Sequence, residues 1–291
     1  MPGIISIPVV EANILRSRLR NLMSLREEFL NNPQDETIHD FRVASRRARE
    51  VLDYLEPTLP KKVHERLMDL ARRVTKNLGT ARESEVNLEI LNRWSDERKL
   101  DPIAVELLIH SQKMKFNAGL RKAKKRMASQ KFEYIPKFLS ILRGSRTLPA
   151  TDSGILQRRH QDFLGFQWDT ILDDERLHDL RIRTKKFRYS VEINNRVHKK
   201  SLGRFIRKIR NLQDVLGRIH DLYVLTEITS QMIEEWDDES VKIIPSALRF
   251  SYDKIIAEKH ALFPMVYPRY SRILESSPLI NYPPVETAAA V

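Results

Sequence analysis

Two short runs of histidine, arginine and lysine recur at helical spacing. His39, Arg42, Arg46 and Arg49 follow one another at intervals of three or four residues, and His178, Arg181, Lys185 and Arg188 do the same. At about 100° per residue, each set falls within an arc of roughly 80° on a helix. Such a stripe offers guanidinium forks and an imidazole to one side, the chemistry that holds phosphate oxygens through charge-assisted hydrogen bonds. Phe41, Ala44, Ala48, Leu52 and Leu55 cluster opposite the first stripe, and Leu180, Phe187 and Val191 opposite the second. A solvated face of an amphipathic helix would be built similarly. A solvent face usually mixes signs, however, and these stripes carry one sign only. Stacked like charges destabilise a helix unless something neutralises them. Tyr189 flanks the second stripe where the first has Glu50.

The two runs match as longer segments. Ile38-His39-Asp40-Phe41-Arg42-Val43, followed by Arg46, Arg47 and Arg49, aligns with Leu177-His178-Asp179-Leu180-Arg181-Ile182, followed by Lys185, Lys186 and Arg188, at an offset of 139 positions. Further on, Leu78-Gly79-Thr80-Ala81-Arg82-Glu83-Ser84-Glu85-Val86 aligns with Leu216-Gly217-Arg218-Ile219-His220-Asp221-Leu222-Tyr223-Val224 at an offset of 138. Two ordered matches at nearly one offset predict a duplicated helical unit with pseudo-two-fold symmetry. Arg72, Arg73 and Lys76 precede Gly79 and could extend the basic site, with Arg210 aligned to Arg72 and His220 to Arg82. Lys113, Arg121 and Lys124 are further candidates that could equally face water.

The elements carrying these residues read as helices throughout. Apolar residues recur at helical spacing from Val9 to Asn31, from Glu36 to Glu56, from Pro60 to Gly79 and from Glu83 to Trp94. Asp101-Pro102 reads as the cap and first residue of a long helix reaching Ser129, and a short helix ends near Gly144. Helical patterns resume over Ile155 to Ile171, Asp174 to His198, Leu202 to Leu216, His220 to Trp236 and Val241 to Leu262. Ser145 to Gly154 is turn and breaker chemistry and reads as a linker. The expected fold is all-α with no sheet: one domain over 9–274, with one half over about 9–144, the linker at 145–154 and the other half over about 155–274. The tail over 275–291 is expected to be loose.

Composition bounds the function. Of 291 residues, 41% are hydrophobic, enough for a real core. Only 8 are glycine, which favours helix over a turn-rich β fold. The formal net charge of +12 points to a polyanionic partner or surface. The absence of cysteine excludes disulfides, thiolate metal sites and cysteine nucleophiles. The N-terminus lacks the features of a secretion signal and no apolar run approaches about 18 residues, so a cytoplasmic protein with no membrane span is expected. Asp40 and Asp179 point about 100° from the histidines before them, and two arginines on each face would repel a cation, so no metal and no cofactor is expected. No glycine-rich phosphate loop occurs.

The motif His-x-x-Arg-x-x-x-Arg-Arg-x-Arg, repeated once, together with Leu-Gly-x-x-Arg-Glu-x-Glu-Val, resembles the CHAD family (conserved histidine α-helical domain). The resemblance covers about Val9 to Leu274. It implies two helical bundles related by a pseudo-two-fold axis, basic residues lining a shared central cavity, and non-catalytic binding of inorganic polyphosphate, with some members found at polyphosphate granules. On this basis His39, Arg42, Arg46, Arg49 and Arg82 carry over in the first half, and His178, Arg181, Lys185 and Arg188 in the second. Lys185 and Lys186 stand where the first half has arginine; lysine keeps the charge but loses the bidentate fork. Glu83 and Glu85 stand where the family often has aspartate.

Three other functions compete. Electrostatic phosphate contacts would also serve RNA or DNA, but apart from Tyr189 the stripes lack aromatics for base stacking. The acidic runs at Asp173–Glu175 and Glu234–Glu239 would repel a duplex on the outer surface. An adaptor for phosphorylated or acidic protein partners would use the same basic residues. Triphosphate-processing tunnel enzymes use a Glu-x-Glu-x-Lys strand; Glu83-Ser84-Glu85-Val86-Asn87 lacks the lysine and sits in a helical context, so the protein is expected not to be an enzyme.

Overall fold

A computed structural model describes residues 3–151, 154–168, 173–198, 201–236 and 242–278. The first half holds strand β1 (Ile5–Pro8), helices α1 (Val9–Asn31), α2 (Asp35–Tyr54), α3 (Lys61–Asn77), α4 (Gly79–Asp96), α5 (Pro102–Ser129) and α6 (Tyr134–Ile141), and strand β2 (Leu142–Ser145). The second half holds α7 (Ile155–Leu164), α8 (Asp174–Val197), α9 (Gly203–Glu235), α10 (Ile243–His260) and α11 (Val266–Glu275). The fold is all-α in class. The helix expected over Ile155 to Ile171 ends at Leu164, with Gly165 to Trp168 outside it. Residues 169–171, the expected start at Val241, the acidic residues Asp237–Glu239, linker residues 152–153 and the tail beyond Pro278 lie outside the described residues.

The predicted apolar faces form the core. Phe41, Ala48, Leu52, Leu180, Phe187 and Val191 are fully buried, while the basic stripes stay at least partly accessible. The helices gather around two large apolar cores. One takes Leu15, Leu19, Phe29, Phe41, Leu52 and Val74, and the other takes Phe163, Leu180, Phe187, Ile209, Leu225 and Tyr270. They do not divide at the linker. Ala81 of α4 and Met127 of α5 belong to the first core, but Leu91 and Trp94 of α4 and Val105 and Leu108 of α5 belong to the second. These two helices tie the halves together along their length.

Local signals place several boundaries. Asp101 caps α5 through bonds from the backbone N–H of Ile103 (2.9 Å) and Ala104 (3.5 Å). Asp173 caps α8 by accepting from Arg176 N–H at 2.8 Å. The linker is tied down at Thr151: its N–H donates to the buried Glu11 carboxylate at 2.9 Å, and its carbonyl accepts from the Tyr54 hydroxyl at 2.6 Å.

Three features differ from expectation. First, β1 and β2 pair in parallel, Ile5 opposite Leu142 through Pro8 opposite Ser145, so a small sheet is present. Ile5 and Ile7 are buried and Ser6 is exposed, the two-residue period of a strand. Gly144 lets α1 close in: a Cβ there would lie 3.1 Å from Val9 Cα. Second, α9 is one helix of 33 residues, passing through Gly217 where a break was expected. The same Leu-Gly pair does separate α3 from α4 at Leu78-Gly79. Burial of Val215, Leu216, Ile219 and Leu222 on one side offsets the roughly 1 kcal/mol that glycine costs inside a helix. Third, α11 follows Leu262 despite Pro264 and Pro268; both prolines fall in opening turns, where no backbone N–H is needed.

Glycine at 119 is required by a close approach. A Cβ there would lie 2.9 Å from the Ala81 backbone nitrogen, where α5 crosses α4. Gly119→Ala should therefore lower stability by about 1–2 kcal/mol, the overlap outweighing the gain in helix propensity. Gly217→Ala meets nothing within 4 Å and should raise stability by about 0.5–1 kcal/mol. Thermal or urea melts of the two variants check the opposite signs.

Candidate functional site

Helices α2 and α8 pack against each other, and their basic stripes meet at the contact. The charge of Arg46 acts on Arg181 and Lys185, and that of Arg49 acts on Lys185. A cleft of about 590 Å³ opens beside them, lined by His39 and Arg46 of α2, Arg188 and Tyr189 of α8, and Arg210 of α9. Arg18 of α1, Arg47 of α2 and Arg196 of α8 also line it, and the sequence reading missed all three. Arg196 was within reach, since it lies two helical turns beyond Arg188. Nothing local singles out Arg18.

Counting partners separates the free cations from the engaged ones. Among the described residues, Arg46, Arg49, Arg181 and Lys185 are half-buried, and no ion pair or side-chain hydrogen bond engages them. The Nε atoms of Arg46, Arg49 and Arg188 are buried without a partner. Others are committed. Arg42 Nη1 donates to the Thr75 carbonyl at 2.8 Å and so satisfies the end of α3. Loss of Arg42 therefore costs stability as well as charge. Arg82 pairs with Glu85 at 2.7 Å and Glu89 at 3.4 Å. Arg188 and Arg210 share Glu192 at 3.2 and 3.4 Å. Tyr189 is buried, with the Arg188 guanidinium 4.4 Å above its ring.

The electrostatics follow from this crowding. Burial, then the charges of Arg46, Arg181 and Arg49, push the Lys185 ammonium down to about 8. Burial, then Arg46 and Arg82, push Arg42 down to about 10. Arg49 and Arg181 are lowered, also chiefly by burial. His220 is pushed down to about 4 by burial and by Arg181, His178 and Lys185, and His39 is lowered by burial and Arg82. Glu50 is pushed up to about 7 by burial and by Asp53, against the pull of Arg159, Arg49 and Lys185. Asp53 itself pairs with Arg159 of α7 at 3.2 Å. Asp221, raised chiefly by burial, acts on Arg181, and Glu50 acts on Arg49 and Lys185, so the acids offset the cluster only in part.

Of the four cluster cations, Arg46 lines the cleft, whereas Arg49, Arg181 and Lys185 lie beside it, and the remaining candidates lie elsewhere. His178 lines a neighbouring pocket of about 410 Å³ with His220, their rings 5.0 Å apart, and does not line the cleft that holds His39. Arg181 links the two places, since its charge acts on His220 and it feels Arg46. The charge of Arg72 reaches Arg49, but Arg73 and Lys76 line an outer groove. Lys113, Arg121 and Lys124 do not line the cleft. Among the described residues, no group of three metal-ligating side chains occurs and no helix is long and apolar enough to cross a membrane.

Comparison with known proteins fits this arrangement. No curated protein matches the sequence. The CHAD domain from the plant Ricinus communis superposes with a TM-score of 0.65 at 20% identity, covering 95% of this chain and 94% of that one. PptA from Streptomyces chartreusis superposes with a TM-score of 0.70 at 15% identity, covering 92% of this chain and 100% of that one. At these identities the likeness is one of fold. The family model of the CHAD domain matches residues 13–229, three-quarters of the sequence, and the chain therefore belongs to the CHAD domain family.

Proposed function

We propose that the protein binds inorganic polyphosphate in the cleft between α2 and α8, without catalysis, in the cytoplasm and in association with polyphosphate granules. The observation that carries this reading is the cluster of Arg46, Arg49, Arg181 and Lys185, four cations held together without an ion pair among the described residues. Holding like charges together costs folding free energy that an anion would return on binding. The CHAD fold is associated in general with polyphosphate binding, which agrees in charge and in geometry. His39, Arg188 and Arg210 would complete the contacts, with Arg18, Arg47 and Arg196 at the rim.

A phosphate polymer suits the cleft better than nucleic acid. It offers closely spaced charge and no bases. Tyr189 is the aromatic residue lining the cleft, and its ring is buried and covered by Arg188. No stacking platform for a base is thereby offered.

Arg46→Ala with Lys185→Ala should weaken polyphosphate binding by roughly 3 kcal/mol, since charge-assisted hydrogen bonds contribute about 1.5–3 kcal/mol each. The salt dependence should also become shallower. Neither side chain makes a hydrogen bond in the free protein, so the melting temperature should rise slightly without ligand, while the stabilisation by long polyphosphate should largely disappear. Unchanged affinity and salt slope in the folded double variant would refute the assignment. Matched-charge RNA competing as well as polyphosphate would favour nucleic acid.

Protonation gives a second test. Lys185 is surrounded by Arg46 and Arg49 of α2, Arg181 of α8 and the carboxyl of Glu50. Its folded value of about 8 lies below the roughly 10.4 of an unfolded chain. Between these values the unfolded chain holds the proton and the folded one does not, so stability of the free protein should rise with pH across that window. Polyphosphate binding should run the other way. The polymer favours the ammonium, so affinity should fall as pH rises through about 8. Urea melts and binding titrations at several pH values read both effects, and Lys185→Met should flatten both.

A further inference from the structure

The outer groove on the first half carries an unexplained concentration of charge. It runs between α3, the end of α5 and the start of α6, with a volume of about 920 Å³. Arg66, Arg73, Lys76, Arg126, Lys131 and Lys137 line it, against the carboxylates of Asp69 and Glu133 alone. One cation is neutralised: Arg73 pairs with Asp69 at 2.8 Å, both side chains being well exposed, where such a pair contributes little. Arg126 donates only to the neutral Asn77 side chain, at 3.1 Å. The Arg66 guanidinium lies 5.3 Å over the Tyr134 ring. Lys76, Lys131 and Lys137 have no side-chain partner among the described residues.

The groove connects to the central cleft. Lys76 follows Arg72 by one turn of α3, a rise of about 6 Å. Arg72 is near enough to Arg49 for its charge to lower that group. Basic residues therefore run from Arg49, beside the cleft, across α3, into the groove. A globular anion would use one end of this track; a flexible polyanion can use all of it. Base stacking is unavailable here too, because Tyr134, the aromatic residue lining the groove, already carries Arg66 on its ring. The chemistry is that of a phosphate chain without bases.

We propose that this groove is a second subsite for the same phosphate polymer, occupied by chains long enough to cross α3 over Arg72 and Lys76. The proposal rests on the reading of the central cleft as a polyphosphate site. It turns that site into one that distinguishes long chains from short ones, because the second contact is made intramolecularly once the first is formed.

The test compares tripolyphosphate, long-chain polyphosphate and RNA of matched charge on two variants of the full chain. Arg126→Ala, Lys131→Ala and Lys137→Ala together remove three exposed side chains from the groove; Arg46→Ala with Lys185→Ala disables the cleft. The groove variant should bind tripolyphosphate like the parent and long chains at least about tenfold more weakly, since a single charge-assisted hydrogen bond is worth a factor of that order. Its salt slope for long chains should fall by about 2, at roughly 0.7 per phosphate contact on a single strand. Lys131→Ala with Lys137→Ala, which removes no hydrogen bond, should show the same effect to a smaller degree and guards against a loss of structure. Long-chain affinity and slope equal to the parent's, with the cleft variant still impaired, would overturn the groove and leave the cleft standing. Tripolyphosphate binding undiminished in the cleft variant would overturn the central reading, and with it the groove as its extension. A groove variant impaired for RNA but not for long polyphosphate would overturn the proposal in favour of nucleic acid.

Discussion

Like-charge crowding at the contact between α2 and α8 is the constraint around which the molecule is arranged. Arg46, Arg49, Arg181 and Lys185 repel one another and are partly removed from water. A fold that brings them together must supply the difference from elsewhere. The apolar faces directly opposite do so: Phe41, Ala48 and Leu52 behind one stripe, and Leu180, Phe187 and Val191 behind the other, are fully buried. Large aliphatic and aromatic side chains buried to this extent contribute about 1.5–3 kcal/mol each. The same two helices thus hold the cores on one side and the strain on the other.

The surrounding acids are placed so that this strain persists. Glu192 takes Arg188 and Arg210, Glu85 and Glu89 take Arg82, and Asp53 takes Arg159. Each draws off a cation at the periphery. Glu50, which acts on both Arg49 and Lys185, is itself half-buried and pushed up to about 7, so near neutrality it is an incomplete counter-charge, and Asp221 beside Arg181 is raised as well. Had these carboxylates reached Arg46 or Lys185 instead, the cleft would be a closed salt-bridge network with little left for a ligand. Helices α4 and α5 matter here because they enter both cores. A stiff connection of this kind stops the two stripes from relaxing apart.

What was legible in the sequence was what depends on neighbours along the chain. The helical faces, the Asp101 cap and the turn chemistry after Ser145 are set within a few residues, and they fall where the spacing puts them. The β1–β2 pairing was not legible, because its two strands are more than a hundred residues apart and nothing within Ile5–Pro8 names a partner. The matched Leu-Gly pairs read alike but act differently, since the apolar burial around Leu216 carries α9 through Gly217 while the chain breaks at Gly79. Arg72 and Arg73 show the same limit at the site. They are adjacent in sequence but about 100° apart on α3, so one addresses Arg49 and the other lines the outer groove. Arg42 belongs to the stripe by spacing, yet its guanidinium is committed to the Thr75 carbonyl. Partner choice across helices decides which basic residues are free, and helical period alone does not contain it.

The two matched sequence segments also differ in a way that bears on ligand chemistry. The first half offers guanidinium groups at Arg46 and Arg49, and a guanidinium stays charged in proteins. The second offers Lys185, whose charge is in play near pH 8, and, in the neighbouring pocket, a His220 held neutral by burial and then by its cationic neighbours. One side of the contact is therefore a permanent grip and the other a titratable one. A phosphate chain that spans the contact meets a fixed anchor beside an adjustable one. An anion that brings its charge against Lys185 and His220 raises the affinity of both for protons. Under the proposed function, proton uptake and polymer binding are then the same event viewed from two sides. Lysine at position 185, where the first half has arginine, brings this coupling to about pH 8, because an arginine there would have stayed charged.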